Sequence, residues 1–114
     1  MILNNNAPSQ EQVNILLKYY NNKQFVKLEK NALSFIKKFP NHPFGWKALG
    51  IALKHNGKIS DSLEASKKVL ELSPEDIGAY NNLGNTLGEL GKLEDAKKYL
   101  KQAIKLNPNY APAH

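Results

Sequence analysis

The chain has 114 residues, of which 41% are hydrophobic and 23% are charged, a composition typical of one small globular or repeat domain. It contains no cysteine, which excludes disulfides and thiolate metal sites, and no apolar run long enough to span a membrane. The formal net charge is +6 and every basic residue is a lysine, so the chain lacks the arginine fork that reads phosphate or guanine in bidentate fashion.

Residues 1–8 begin without a positively charged segment and without a long apolar stretch. This is not the pattern of a secretory signal peptide. We therefore predict a flexible leader at residues 1–8 and a cytoplasmic protein.

The first helix is predicted to begin after Ser9, because Ser9 and Gln12 have the spacing of a capping box. Its apolar periodicity continues to about Asn21, where a polar turn leads into a second helix that continues to about Lys38. Pro40 ends this first pair of helices, because proline cannot continue a helix.

Two further helix pairs follow with similar boundaries. Pro43 suits the first turn of the third helix, and Gly57 lies where a left-handed residue would end it. The fourth helix ends before Pro74. Gly91 separates the fifth helix from the sixth, and Pro108 ends the sixth.

Three prolines, Pro40, Pro74 and Pro108, lie at intervals of 34 residues. The same interval relates aromatic, leucine and glycine positions of the second and third pairs: Trp46 and Tyr80, Leu49 and Leu83, Gly50 and Gly84, Leu53 and Leu87, and Gly57 and Gly91. A helix–turn–helix period of this length with these marks resembles the tetratricopeptide repeat family. The resemblance implies an all-α fold in which three antiparallel helix pairs stack as a right-handed α-solenoid.

The resemblance extends over nearly the whole chain and divides it into repeats at residues 9–42, 43–76 and 77–110, followed by the start of a further helix at 111–114. The third repeat matches the family pattern best. The second has Ser62 and Ser66 where a small and a large apolar residue are expected. The first is degenerate, since Ile15-Leu16 replaces Leu-Gly and Gln12 replaces the aromatic residue, which fits an end cap.

Glycine inside a helix costs about 1 kcal/mol relative to alanine. We therefore expect a second helix to approach closely at Gly50 and at Gly84, and we interpret Trp46 as a core anchor.

The family binds peptides on the concave face formed by the first helix of each repeat, so the resemblance implies a protein-interaction scaffold. That face is predicted to present four residues from each inner helix: Val13, Asn14, Leu17, Tyr20, Phe44, Lys47, Ile51, Lys54, Asn81, Asn82, Asn85 and Glu89. An amide can pair with an extended peptide backbone, because it offers both donors and an acceptor.

The run Asn81-Asn82-Leu83-Gly84-Asn85 is similar to repeats of protein O-linked N-acetylglucosamine transferases. In those proteins an asparagine just before Leu-Gly holds the peptide main chain, and Asn82 is the matching residue here. Two alternatives remain: the asparagines reflect composition alone, or Lys47 and Lys54 attract acidic peptides. A clamp for a carboxyl terminus fits poorly, since apolar residues occupy the inner face of the first helix.

No serine or carboxylate accompanies His42, His55 or His114 in a triad pattern, so this segment is predicted not to be an enzyme and to need no cofactor or metal. The lysines fall mostly on the second helix of each repeat, the convex face. Nucleic-acid binding through that face is the least favoured reading, because the aromatic residues lie at core periods rather than among these lysines.

An array of this kind normally ends in a helix with a polar outer face. The last helix is instead predicted to expose an apolar face comprising Leu93, Leu100, Ile104 and Tyr110. Such a face predicts either self-association through this end or further repeats beyond it. The second possibility gives an alternative function, the substrate-recruiting segment of a larger glycosyltransferase, sulfotransferase or methyltransferase.

Overall fold

A computed structural model of the chain describes residues 7–109. Within this range the chain forms six α-helices and no strand. Their bounds are α1 Gln10–Asn21, α2 Phe25–Lys38, α3 Pro43–His55, α4 Ile59–Leu72, α5 Ile77–Glu89 and α6 Leu93–Leu106. The all-α prediction is confirmed. Most of the predicted leader, Tyr110 and the predicted further helix at 111–114 lie outside the described residues.

The helices begin where local capping groups allow it. The backbone N–H of Gln12 donates to Ser9 Oγ at 3.1 Å and the Ser9 N–H donates to Gln12 Oε1 at 2.8 Å, so the predicted capping box is present. At the start of α3, His42 Nδ1 accepts from the Phe44 N–H at 3.2 Å. At the start of α5, Asp76 Oδ1 accepts from the Ala79 N–H at 3.0 Å.

The inner helices α1, α3 and α5 all end in the same left-handed turn. Gly57 and Gly91 have φ of 81° and 80°, as the sequence predicted. At the equivalent position after α1, Lys23 has φ of 57°, a region that is unfavourable for a residue with a Cβ atom. The turns after α1 and after α5 have the same hydrogen bond. The Gln24 N–H donates to the Tyr19 carbonyl at 2.9 Å, and the Lys92 N–H donates to the Leu87 carbonyl at 2.9 Å.

Each helix packs against the next along the chain, and α1 also contacts α3. One core cluster draws on α1 to α4, with Leu28 and Ala32 of α2 fully buried. A second draws on α4 to α6 around Leu83. None of the described helices combines the length and the apolar character needed to cross a membrane.

The aromatic residue near the start of α3 and of α5 fastens the loop that precedes it. Trp46 Nε1–H donates to the carbonyl oxygen of Pro40 at 2.8 Å, and the Tyr80 hydroxyl donates to that of Pro74 at 3.0 Å. Trp46 is half-buried and packs against the first core cluster. It therefore anchors the core and also orders the connection between successive helix pairs.

The two glycines of the inner helices differ in how closely the outer helix approaches. A methyl group added at Gly84 would lie 2.5 Å from Leu100 Cγ and 3.3 Å from the Ala96 carbonyl oxygen. At Gly50 the nearest atoms would be Ser66 Oγ at 3.5 Å and Ala65 Cβ at 3.6 Å, which is ordinary contact. The expected close approach therefore holds for Gly84, whereas Gly50 has room for a side chain.

Glu29 of α2 connects the first helix pair to the turn between α3 and α4. Its carboxylate accepts from Lys58 Nζ at 2.7 Å and from Asn56 Nδ2 at 2.8 Å. The Asn56 amide also donates to the Phe25 carbonyl at 3.1 Å, and the Phe25 and His55 rings stack with centroids 3.9 Å apart. The bond from Lys58, followed by that from Asn56, lowers the pKa of the Glu29 carboxyl below its usual value.

We predict that Lys23→Gly raises the free energy of unfolding by about 1 kcal/mol, because glycine removes the left-handed strain of this turn. Urea denaturation of the wild type and the variant measures the difference. Lys23→Ala is the matched control, since it removes the same charge but keeps a Cβ atom, and it should give no gain. An equal gain from both substitutions would show that strain is not the cause.

We predict opposite effects of the same substitution at the two inner-helix glycines. Gly84→Ala should lower the free energy of unfolding by about 1–3 kcal/mol, because the new methyl group displaces Leu100. Gly50→Ala should raise it by up to about 1 kcal/mol through helix propensity alone. The two variants are compared by urea denaturation, and a loss of similar size at both positions would contradict the difference in packing.

We predict that the stabilisation from Glu29 depends on pH. Because its pKa is lowered in the folded state, the ionised carboxylate stabilises the protein above its unfolded pKa, near 4.5, and this contribution disappears as the pH falls through the lower folded pKa. Glu29→Gln should therefore be less stable than the wild type at neutral pH, with a gap that narrows in acid. Glu64→Gln is the control, because the Glu64 carboxylate has only an exposed ion pair with Lys67 at 3.7 Å, and it should change stability much less than Glu29→Gln does. A pH-independent deficit at Glu29 would refute the linkage.

Candidate functional site

A cleft of about 680 Å³ opens between the inner helices α3 and α5, with residues of the outer helix α4 at its base. Six of the predicted groove residues line it: Tyr20, Lys47, Ile51, Lys54, Asn82 and Glu89. Tyr20 comes from the end of α1, so three inner helices contribute to one concave surface. A volume of this size is in the range that accommodates a small ligand or a few residues of a peptide.

Two ion pairs cross the cleft from α3 to α5. Lys47 Nζ lies 2.5 Å from Asp76 Oδ2, and Lys54 Nζ lies 3.1 Å from Glu89 Oε1. Asp76 is at the same time the N-cap of α5, so this ion pair is held at the start of the helix. Each lysine is therefore matched by a carboxylate, which offsets the attraction for acidic peptides that the sequence suggested for Lys47 and Lys54.

Small residues form the base of the cleft. Ser62 is only 3% exposed, and its hydroxyl donates to the carbonyl oxygen of Gly50 at 3.0 Å. Ser66 is half-buried, one helical turn further along α4. Gly50, Ser62 and Ser66 all line the cleft, next to the apolar side chains of Ile59 and Val69.

The other predicted groove residues lie elsewhere. Val13 and Phe44 pack against the first core cluster, and the Phe44 ring centroid is 5.8 Å from that of Phe35. Asn14 Oδ1 accepts from Gln10 Nε2 at 2.9 Å, within α1. Leu17 is exposed on α1, outside the cleft.

The three asparagines of α5 lie in different environments. Asn82 is exposed and lines the cleft, together with Thr86 one turn further on. Asn81 is 8% exposed, and its Oδ1 is buried without a hydrogen-bond partner among the described residues. Asn85 is exposed but does not line the cleft. The cluster therefore does not act as one polar face.

The sequence prediction missed Ser62, Ser66 and Thr86, which all line the cleft. For the two serines a signal was present, since they interrupt the apolar pattern of the second outer helix. Only the packing of α3 on α4 shows that this interruption opens towards the concave side. Nothing in the sequence distinguishes Thr86 from a residue of the helix core.

The outer helices carry lysines that are partly compensated by neighbouring glutamates. Lys67 Nζ lies 3.7 Å from Glu64, Lys68 Nζ lies 3.5 Å from Glu71, and Lys97 Nζ lies 3.9 Å from Glu94. Exposed pairs of this kind contribute little to stability, about 0–1 kcal/mol each. They reduce the positive field of the convex face, where nucleic-acid binding stays a prediction.

The face of α6 predicted to be apolar is only partly exposed. Leu93 is 62% exposed, whereas Leu100 and Ile104 are half-buried. Self-association through this face stays a prediction.

Residues 77–110 match the family model of the tetratricopeptide repeat. The CTR9 homolog of Arabidopsis thaliana is 30% identical over 104 residues, covering 88% of this chain and 10% of that protein. The chain thus spans about a tenth of the length of this curated relative.

Two solved structures have the same architecture. One is the first tetratricopeptide repeat domain of Spaghetti (RPAP3), bound to an HSP90 peptide, with a TM-score of 0.83, 20% identity and coverage of 92% of this chain and 86% of that chain. The other is the O-GlcNAc transferase of Thermobaculum terrenum, with a TM-score of 0.82, 21% identity and coverage of 99% of this chain and 22% of that chain. At these identities the likeness concerns the fold.

Residues 77–110 are therefore a tetratricopeptide repeat, and the described chain has the tetratricopeptide-repeat fold. The resemblance found in the 34-residue period of the sequence is confirmed.

Proposed function

We propose that this chain is a non-catalytic protein-interaction scaffold that binds an extended segment of a partner protein in the cleft between α3 and α5. The observation that carries the proposal is the cleft itself, an open space of about 680 Å³ on which side chains of four helices converge. Its walls combine apolar surface with a few polar groups, which is the usual composition of a binding site.

The polar groups of the cleft suit a peptide main chain better than a charged ligand. The amide of Asn82 can both donate and accept, and it is exposed. The flanking lysines and carboxylates are already paired across the cleft at 2.5 and 3.1 Å. An uncharged, extended backbone therefore finds partners here without separating an ion pair.

Likeness to known structures supports the same function. The Spaghetti domain, which has this fold at a TM-score of 0.83, is bound to an HSP90 peptide. We infer peptide binding for this chain from the shared fold and from its own cleft, and we assign the contacts to Tyr20, Ile51 and Asn82 rather than to the asparagine cluster as a whole.

A selection from random linear peptides displayed on phage tests the proposal. Peptides enriched on the wild-type chain are synthesised, and their affinities are measured for the wild type, Asn82→Ala and Asn85→Ala. Asn82→Ala should weaken binding about fivefold to tenfold, because main-chain hydrogen bonds are lost. Asn85→Ala is the matched control, with the same substitution in the same helix at an exposed position outside the cleft, and it should leave affinity unchanged.

Two outcomes would count against the proposal. One is the absence of any peptide enriched over an unrelated helical protein. The other is a set of peptides whose affinity does not respond to Asn82→Ala, which would place their contacts on another surface.

A second candidate function is recruitment of substrates to a transferase domain in the same polypeptide. The likeness to a stretch of the Thermobaculum terrenum O-GlcNAc transferase favours it, since this chain covers 22% of that protein. Both candidates use the same cleft. The reading frame beyond His114 distinguishes them, because recruitment requires a catalytic domain in the same chain.

A further inference from the structure

We infer that the base of the cleft is a subsite for one large aliphatic side chain of the bound peptide, of the size of leucine. This inference rests on the proposed function and specifies which kind of peptide side chain the cleft binds. It is based on a difference between the second and third helix pairs of this chain.

In each helix pair the inner helix packs on the outer helix along an interface that we call the seam. In the third pair a leucine closes this seam. Leu100 of α6 lies against Gly84 of α5, so closely that a methyl group at Gly84 would be 2.5 Å from Leu100 Cγ. The side chain fills the space that glycine leaves. Neither residue lines the cleft between α3 and α5, which the third pair borders through Asn82, Thr86 and Glu89 of α5.

In the second pair the equivalent leucine is missing. Ser66 lies 34 residues before Leu100, and Gly50 lies 34 residues before Gly84. A methyl group at Gly50 would meet nothing nearer than Ser66 Oγ at 3.5 Å, and both residues line the cleft. The contact between α3 and α4 at Gly50 is therefore reached from the concave side, and the leucine side chain that would cover it in the third pair is absent here.

The cleft into which this contact opens has apolar residues on three helices. Ile51 and Ile59 line it from α3 and α4, and Val69 and Ala79 line it from α4 and α5. Ser62 adds no polar demand, because its hydroxyl already donates to the Gly50 carbonyl at 3.0 Å. An aliphatic side chain placed here loses its water contacts and leaves the Ser62–Gly50 hydrogen bond intact.

The charges of the cleft also favour an uncharged side chain. In each of the ion pairs Lys47–Asp76 and Lys54–Glu89 the charges balance, so neither lysine of the cleft is free to bind an acidic side chain. Neither carboxylate of these pairs is free to bind a basic one. A charged side chain at the base would be desolvated without a partner, which is unfavourable. An aliphatic side chain carries no such penalty.

The substitution Ser66→Leu tests this subsite in the full chain with the peptides selected above. The new leucine should lie on Gly50 as Leu100 lies on Gly84, closing the seam and raising the melting temperature. Affinity for the selected peptides should fall about tenfold or more, since a well-packed anchor residue contributes at least this much. The selected sequences should share one Leu, Ile or Met, and its replacement by alanine in the peptide should cause a similar loss.

Ser60→Leu is the matched control. It adds the same side chain to the same helix at an exposed position that does not line the cleft, and it should leave affinity unchanged. Replacing the aliphatic residue of the peptide by alanine should lower the affinity for the wild type and for Ser60→Leu. It should not change the affinity for Ser66→Leu, because the new leucine already fills the subsite.

The outcomes separate the subsite from the function on which it rests. Peptides that respond to Asn82→Ala but bind Ser66→Leu as they bind the wild type would overturn the subsite and leave the cleft as the binding site. Peptides whose affinity is unchanged by both Asn82→Ala and Ser66→Leu would overturn the proposed function. A variant lacking residues 1–6 that binds the peptides far more tightly than the full chain would show that the chain's own amino-terminal segment fills the cleft, which would also overturn the subsite.

Discussion

The approach of the two helices in the third pair depends on one glycine and on the side chain that faces it. At Gly84 this side chain is Leu100, and the two leave no room for even a methyl group. Helices of 12 to 14 residues are barely stable alone in water, so the chain depends on such seams for its stability. The inner helix packs on the outer helix with one side and forms the concave face with the other. A substitution at the seam therefore changes both the packing of the pair and the shape of the concave face.

The seam between α3 and α4 shows what happens when the leucine is absent. With Ser66 in place of leucine, α3 and α4 still pack, but the space beside Gly50 joins the gap between α3 and α5. The two inner helices are connected across that gap by ion pairs rather than by interlocking side chains. Ion pairs with partly exposed lysines tolerate small changes in separation better than a close-packed seam does. The cleft is therefore bounded by ion pairs that can adapt and by a base of small residues that belongs to the packed pair α3 and α4.

Much of the fold could be predicted from the sequence, because its determinants are local. Ser9 and Gln12 cap α1 through bonds within a single turn, and Gly57 requires only a left-handed backbone. Lys23 occupies the same conformation without any local signal, because its Cβ atom disfavours a positive φ. The site was less predictable, because packing between helices determines which side chains line it. Whether Asn81 or Asn82 faces the cleft is a matter of about 100° of rotation on α5, which only the packing of α4 and α6 decides.

Departures from the repeat pattern have different meanings depending on what surrounds them. The degenerate positions of the first repeat lie in α1, the first of the described helices. Ser66 lies between two other repeats, where a leucine would bury apolar surface worth about 1.5–3 kcal/mol. A serine at such a position gives up stability in the middle of the structure and lines a concave space of about 680 Å³. Since the rest of this seam keeps its pattern, with Leu49, Gly50 and Leu53 all buried, the loss is confined to the one side chain that would otherwise close the cleft. A local loss of packing that coincides with an accessible, charge-balanced cavity is better explained by what enters the cavity than by drift of the repeat.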